Sequence, residues 1–129
     1  MNKIIVEVSI GELFDKISIL EIKQGKIKDL EKLKFINNEH TILKSQLEKN
    51  IKSDEKLNGL YHSLKEVNSK LWVIEDDKRQ CEKEKNFGEK FIKLSRDVHF
   101  LNDDRAKIKL EINNHTGSTI KEIKEYTSY

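Results

Sequence analysis

Apolar side chains recur at alternating steps of three and four along most of this chain, which is the spacing of one face of an α-helix. The most regular stripe comprises Leu57, Leu60, Leu64, Val67, Leu71, Ile74, Lys78 and Cys81, and the next comprises Phe87, Phe91, Leu94, Val98, Leu101, Arg105, Ile108 and Ile112. Between the two stripes, Asn86, Phe87 and Gly88 have the composition of a turn. We therefore predict helices over 53–85 and 87–114, with the narrow seam that is typical of coiled-coil packing.

The N-terminal part of the chain predicts one further long helix. Ser9 is followed three residues later by Glu12, the spacing of a capping box, so this helix should begin near Ile10. A weaker apolar stripe continues from there, with an interruption that carries a glycine and a new capping aspartate. We predict a single helix over 10–51 with a kink near residues 25–29.

The two ends of the chain differ from these long helices. Residues 1–8 contain the β-branched run IIVEV and predict an extended arm. In this arm Ile4, Val6 and Val8 alternate with other residues, so they should share one face and pack against a helix or a partner chain. Residues 117–126 predict a short terminal helix with frayed ends.

The composition agrees with a bundle of long helices. The 129 residues include no proline and only 5 glycines, while 37% are charged and 36% are hydrophobic. So much charge requires wide solvated helix faces, and no linker or repeat divides the chain. We predict one helical domain over 1–129 with an all-α fold, in which three long helices run up, down and up.

The charge pattern and the cysteine count restrict the partners and the location. The net charge is +2, and residues 1–64 carry 11 lysines against 10 acids, so positive charge is not concentrated in one segment. Because a nucleic-acid binder concentrates basic residues on one face, we expect no nucleic-acid partner. The single cysteine, Cys81, fits a reducing compartment. The N-terminal apolar run is too short for a signal peptide or a membrane span, so we expect a cytoplasmic protein without membrane contact.

One position of the second stripe holds Arg105, where a leucine would be expected. An antiparallel register across the two turns places it level with Val67 and Ile36. Its long stem can pack along the seam while the guanidinium leaves the seam toward polar groups. Asn102 and Glu66 are the predicted partners.

Charged residues beside the seam form the best candidate site. The same register brings Glu21, Glu75, Asp76, Arg79 and Arg96 close together, and the candidate ligand-binding set comprises these five residues and Arg105. Two interpretations stay open at this point. The cluster is either a network of ion pairs that fixes the helix register, or a polar pocket for an anionic or zwitterionic small ligand.

Three blocks of the sequence resemble a known family. They are VSIGELFDKISILEIK, LWVIEDDKR and FGEKFIKLSRDVHFLNDDRAKIKLEIN, and together they cover about half of the chain. They are similar to the blocks VSIGELxDK, LWxIEDxIR and FGxxFxxLARxVYxxNDxRA of a family of small uncharacterised bacterial proteins. The resemblance implies recurring residues at Ser9, Glu12, Asp15, Lys16, Glu21, Lys23, Trp72, Glu75, Asp76, Arg79, Arg96, Asn102, Asp103, Arg105 and Lys109. This chain departs from the pattern at Lys78, Ser95 and His99, and the resemblance implies no activity.

Other chemistry has weaker support in the sequence. His62 with Glu66, and His99 with Asp103, each place a histidine and an acid on one helix face, but the register keeps the two pairs apart, so no metal site is predicted. No nucleophile or phosphate-binding loop stands out, because Cys81 lies on the apolar stripe, and no cofactor is predicted. A helical enzyme of the chorismate mutase type would use arginines like those of the cluster.

Two functions follow as alternatives. Apolar residues outside the stripes need another surface to cover them: Phe14, Ile19, Phe35, Trp72, Ile92, Phe100 and Leu110. The first expectation is therefore a non-enzymatic interaction or scaffold protein that acts as a homo-oligomer, with or without a further protein partner. The alternative is a small-molecule binding protein or helical enzyme that uses the cluster of acids and arginines.

Overall fold

The computed structural model describes residues 2–129, which form four helices and no strand. The helices are α1 (Ile10–Lys26), α2 (Leu30–Asn50), α3 (Glu55–Glu84) and α4 (Glu89–Thr116). The all-helical class is therefore confirmed, and α3 and α4 end within two residues of the predicted bounds. The prediction of three long helices is wrong, because the segment 10–51 forms two helices.

The connection between α1 and α2 is a reversal and not a kink. The helix α1 closes with the amide of Ile27 bonded to the carbonyl of Lys23, and Asp29 starts α2 by accepting from the amides of Glu31 and Lys32. Residues 27–29 leave the helical conformation, and α2 folds back along α1. A break and a new cap precede both a kink and a reversal, so the sequence pattern alone could not separate them.

The helix α1 lies at the centre of the bundle and contacts each of the other three. It runs antiparallel to α2, since Gln24 bonds to Asn37 at 3.0 Å, and antiparallel to α4, since Asp15 bonds to Arg105. It crosses α3, since Asp15 and Ser18 both bond to Asn68 while Glu21, a turn further along α1, bonds to Tyr61 and Lys65, which precede Asn68. Helices α1 and α2 thus form one hairpin and α3 and α4 another, and the two hairpins pack on each other through α1.

The hydrophobic core lies where the first half of α1 meets the ends of the other helices. Its buried members are Phe14, Ile17, Leu47, Leu57, Leu64 and Ile112. Half-buried neighbours such as Leu13, Leu60 and Ile108 surround it. The core therefore ties α1 to all three partner helices and holds its N-terminal end against α4.

The two arms of the α3–α4 hairpin pack on each other near the turn that joins them. The ammonium of Lys78 on α3 lies over the ring of Phe91 on α4, and Cys81 is buried.

The segment after α4 is not helical, so the predicted helix over 117–126 is wrong. Gly117 ends α4 with a left-handed φ of 69°. The hydroxyl of Ser118 then accepts from the amide of Ile10, and Glu122 reaches Lys109 at 3.0 Å. These contacts hold the segment extended along the bundle, and tertiary contacts here outweigh the helical pattern.

The N-terminal arm does not pack on its own chain. Residues 2–8 are exposed and carry no helix or strand. The side chain of Ile4 is 91% exposed and that of Val6 is 68% exposed, so the predicted contact with a helix of the same chain is absent. The contact with a partner chain stays a prediction.

No helix within residues 2–129 combines the length and the apolar character that crossing a membrane requires.

Candidate functional site

Arg105 is held by a buried carboxylate on α1. Its Nε donates to Oδ1 of Asp15 at 2.9 Å, and its Nη2 donates to Oδ2 at 2.5 Å. Asp15 is 1% exposed and also accepts from the side-chain amide of Asn68. Such a two-bond pair fixes both distance and orientation, and the bonds to Asp15 raise the pKa of Arg105 above its ordinary value.

The predicted partners of Arg105 are therefore wrong. Asn102 and Glu66 make no ion pair or hydrogen bond with it within residues 2–129, and Glu66 instead pairs with Lys70. The register placed Ile36 beside Arg105 because it treated residues 10–51 as one helix. Since α2 folds back, α1 occupies that place and presents Asp15.

Lys109 extends this network one turn further along α4. Its ammonium lies 2.7 Å from Glu12 and 3.0 Å from Glu122, and 3.9 Å from Asp15. Burial lowers the pKa of Lys109, but the bonds to Glu12 and Glu122 outweigh burial and raise it above its ordinary value. The lysine thus clamps the N-terminal end of α1 to the segment after α4.

The same end of α1 is capped by residues from the far end of the chain. The amide of Gly11 donates to Oδ1 of Asn113 at 2.6 Å, and that of Ile10 donates to Ser118. The hydroxyl of Ser9 accepts from Glu12, as the capping box predicts. The first amides of a helix have no partner within the helix, so these bonds dock α1 as well as complete it.

A cleft of about 300 Å³ opens between α1 and α3, beside the Arg105 pair. We call it the α1–α3 cleft, and its lining residues are Ile19, Ile22, Asn68, Leu71, Trp72, Glu75, Asp76, Arg79 and Arg105. Three aliphatic side chains and an indole provide its apolar walls. Two acids and two arginines provide its charges.

Four of the six predicted site residues line the α1–α3 cleft: Glu75, Asp76, Arg79 and Arg105. The other two lie elsewhere. Arg96 is exposed on α4, with its guanidinium over the ring of Phe100, and it forms no ion pair with Asp76, which the register had placed near it. Glu21 lies on the side of α1 that faces α2.

Glu21 holds three helices together. Its carboxylate accepts from Tyr61 and lies 3.3 Å from Lys65, both on α3, and it lies 2.9 Å from His40 on α2. Burial raises the pKa of Glu21, but the bonds from Tyr61, His40 and Lys65 outweigh it and leave the pKa below its ordinary value of 4.5. The charged carboxylate is therefore the form that the fold stabilises.

Acidification should remove the stabilisation that the charged carboxylate of Glu21 gives to the fold. A carboxylate with a lowered pKa in the folded state stabilises the fold above 4.5, and the stabilisation is lost as the pH falls through the lower folded-state value. We expect Glu21→Gln to lower the melting temperature at neutral pH and to leave it unchanged well below pH 4.5. Thermal melts of both proteins across this range measure the difference. The control is Glu39→Gln, at an exposed acid of α2 outside the cleft and the groove described below, and a difference for Glu21→Gln that persists at acidic pH would contradict the assignment.

Sequence reasoning missed the residues that hold α1 in place. Asp15, Asn68, Lys109 and Asn113 are all buried and polar. Asn68, Lys109 and Asn113 each directly follow a residue of an apolar stripe and do not belong to the stripe themselves. The spacing of the stripes therefore did not predict that they are buried. The resemblance did name Asp15 and Lys109 among its recurring residues, and this was the available signal.

The charged and apolar groups of the α1–α3 cleft lie together, without a cysteine among its lining residues. Cys81 is buried in the hairpin and faces none of the charged groups of the α1–α3 cleft. Across residues 2–129 no group of three or more histidine, cysteine or acidic side chains is placed to hold a metal ion. The cleft therefore offers charges of both signs and an apolar wall, which can orient a ligand.

A second concave surface lies on another side of α3. We call it the outer groove, and it is lined by Glu66, Ser69, Lys70, Val73, Ile74, Asp97, Phe100 and Leu101 of α3 and α4. Its volume is about 650 Å³. Val73 and Phe100 are exposed on it, and no residue of α1 or α2 lines it. An apolar surface of this kind is typical of a contact with another molecule.

Comparison with known proteins gives a family and no activity. No curated protein and no solved structure shows a significant similarity to the chain. A family model described as a family of unknown function, DUF6165, matches residues 4–129. Because the match covers almost the whole chain, the protein belongs to the family DUF6165.

Proposed function

We propose that the protein is a non-enzymatic interaction protein that acts as a homo-oligomer, with the outer groove as the contact between two copies. The observation that carries the proposal is the exposed apolar lining of this groove. Val73 is 46% exposed and Phe100 is 38% exposed, although both belong to well-formed helices. A second copy would cover these side chains with equivalent ones.

The dimensions of the hairpin suffice for such a contact. A helix of the length of α3 spans about 45 Å, and two adjacent helices are about 20 Å wide, which gives a face of about 900 Å². Stable interfaces bury about 800 Å² on each partner. The outer face of the hairpin can therefore support a dimer without help from α2.

The charges at the rim favour a second copy over a strongly charged partner. Glu66 pairs with Lys70 at 3.8 Å on α3, and Lys93 pairs with Asp97 at 2.8 Å on α4. The rim thus alternates acids and bases and carries no excess of either sign. In a two-fold contact each patch meets its own copy, so acids of one chain can face bases of the other.

The N-terminal arm adds a second apolar element to the proposal. Ile4, Ile5 and Val6 are exposed together, and exposed β-branched segments pair readily with another chain. The arm lies outside the core of its own chain, so a partner can order it. In the oligomer we expect this arm to pack on the other copy.

A charge placed in the outer groove should dissociate the oligomer. We expect Val73→Glu to give a monomer at micromolar concentration, because a dimer would have to bury the new carboxylate without a partner. Phe35→Glu is the matched control. Phe35 is 74% exposed on α2, outside the groove, so this variant should keep the wild-type assembly.

Sedimentation velocity of the two variants and the wild-type protein makes the comparison. Unchanged circular dichroism would show that both variants fold. An oligomer that survives Val73→Glu, or one that Phe35→Glu dissociates, would contradict the assignment of the contact to the outer groove.

Two further features complete the proposal. Heptad-spaced side chains along α3 and α4 support coiled-coil packing within the hairpin. Cys81 is free and buried, and the chain carries no large excess of charge, which supports a cytoplasmic location and a partner other than nucleic acid.

A further inference from the structure

The α1–α3 cleft has features that self-association through the outer groove does not use. The two surfaces are lined by different residues of α3, since Leu71 and Trp72 line the cleft whereas Lys70 and Val73 line the groove. A volume of about 300 Å³ is at the small end of ligand sites. A molecule that fills the cleft would be about the size of an amino acid.

The charges on the α3 side of the cleft take part in none of the ion pairs that the described part of the chain forms. Glu75 and Arg79 are four residues apart on one helix, a spacing at which such side chains commonly pair. Neither they nor Asp76 form an ion pair anywhere in the range 2–129. All three remain available to charges from outside.

Arg105 contributes an oriented donor to the same cleft. A guanidinium has five N–H groups, and the bonds to Asp15 use those of Nε and one of Nη2. Because Asp15 holds the guanidinium at two points, the remaining N–H groups keep one orientation. A planar anionic group such as a carboxylate can accept from these groups without a conformational change.

The balance of charge selects the kind of ligand. Asp15 neutralises Arg105, which leaves the single positive charge of Arg79 against the two acids Glu75 and Asp76. A polyanion such as a nucleotide would meet an excess of negative charge. A molecule with one cationic and one anionic group can pair its cation with the two acids and its anion with the arginine.

We infer that the α1–α3 cleft binds a small zwitterion of amino-acid type. Its carboxylate lies between Arg79 and Arg105, and its ammonium lies against Glu75 and Asp76. The indole of Trp72 supplies an aromatic face for the ammonium end. The aliphatic part of the ligand packs on Ile19, Ile22 and Leu71.

The cleft carries its own reporter, because Trp72 is the single tryptophan of the chain. Titration of the full-length protein with each proteinogenic amino acid, other than tryptophan and tyrosine, should change the fluorescence of Trp72 in a saturable way for at least one of them at millimolar concentration. The matched amine and the matched carboxylic acid of that amino acid, each lacking one charged group, should bind about tenfold more weakly or worse.

Two variants separate binding in the cleft from binding elsewhere. Arg79→Gln should weaken the affinity by about tenfold or more, since one charge-assisted bond is lost, and should leave the melting temperature of the free protein unchanged. Lys93→Gln, a charge change on the exposed side of α4, should leave the affinity unchanged. The inference is overturned if no amino acid changes the fluorescence, if either single-charge analogue binds as tightly, or if Arg79→Gln binds like the wild type.

Discussion

Replacing Arg105 with leucine should lower the free energy of unfolding by about 3 kcal/mol or more. The substitution removes the guanidinium but leaves its partner, Asp15, which is 1% exposed. Asn68 still donates to this carboxylate and Lys109 lies 3.9 Å away, so part of the charge stays compensated. The uncompensated part of the charge on Asp15 stays buried. Burying it costs more free energy than the apolar contacts of leucine contribute.

The origin of this loss can be tested with two further variants. Asp15→Asn added to Arg105→Leu should recover part of the stability, because it removes the unpaired charge. Arg96→Leu makes the same change elsewhere on α4, where the arginine is exposed and forms no ion pair with any residue from 2 to 129, and should shift the free energy by less than about 0.5 kcal/mol. Urea titration measures all four proteins. A stability of Arg105→Leu equal to that of the wild type would show that the Asp15 pair does not hold α1 on α4.

Replacing Gly11 with alanine should also destabilise the fold strongly, by about 3 kcal/mol. A Cβ at this position would lie 2.5 Å from the backbone oxygen of Lys109 and 3.0 Å from Oδ1 of Asn113. A backbone carbonyl inside a helix cannot move aside cheaply, so α1 would have to retreat from α4. That movement would lengthen the 2.6 Å bond from the Gly11 amide to Asn113.

The same helix supplies the control for this variant. Gly25 lies near the end of α1, and a Cβ there would meet nothing within 4 Å. Gly25→Ala should therefore stabilise the protein by about 0.5–1 kcal/mol, through the better helix propensity of alanine. Thermal melts of the two variants should shift in opposite directions. Similar shifts for both would mean that α1 does not dock closely on α4.

Local signals in the sequence predicted the ends of the helices well. The capping box of Ser9 and Glu12 marked the start of α1, and Asp29 marked the start of α2, because a cap is a local arrangement of neighbouring residues. The cap of α3 is Asp54, one residue after the predicted start of this helix at residue 53, where the chain carries the neighbouring capping residue Ser53. Such one-residue shifts are typical when two capping residues are adjacent.

Long-range partners could not be read from the same signals. Because the chain reverses at residues 27–29, α1 and not α2 lies beside Arg105. This single difference changes every partner that the predicted register had assigned across the turn before α3. The burial of Asp15 follows from that topology and not from its own position in a stripe. Glu75, Asp76 and Arg79 do line one cleft, because they lie within five consecutive residues of the same helix, whereas Arg96, which the register of the α3–α4 hairpin placed beside them, lies elsewhere on α4.

The mass of the full chain in solution tests the central claim most directly. Sedimentation equilibrium at micromolar concentration should give a species at least twice the chain mass of 15.2 kDa, which dissociates on dilution. The exposed apolar lining of the outer groove and the exposed arm are the reasons for this expectation. A single species of 15.2 kDa over the whole concentration range would contradict the proposed function.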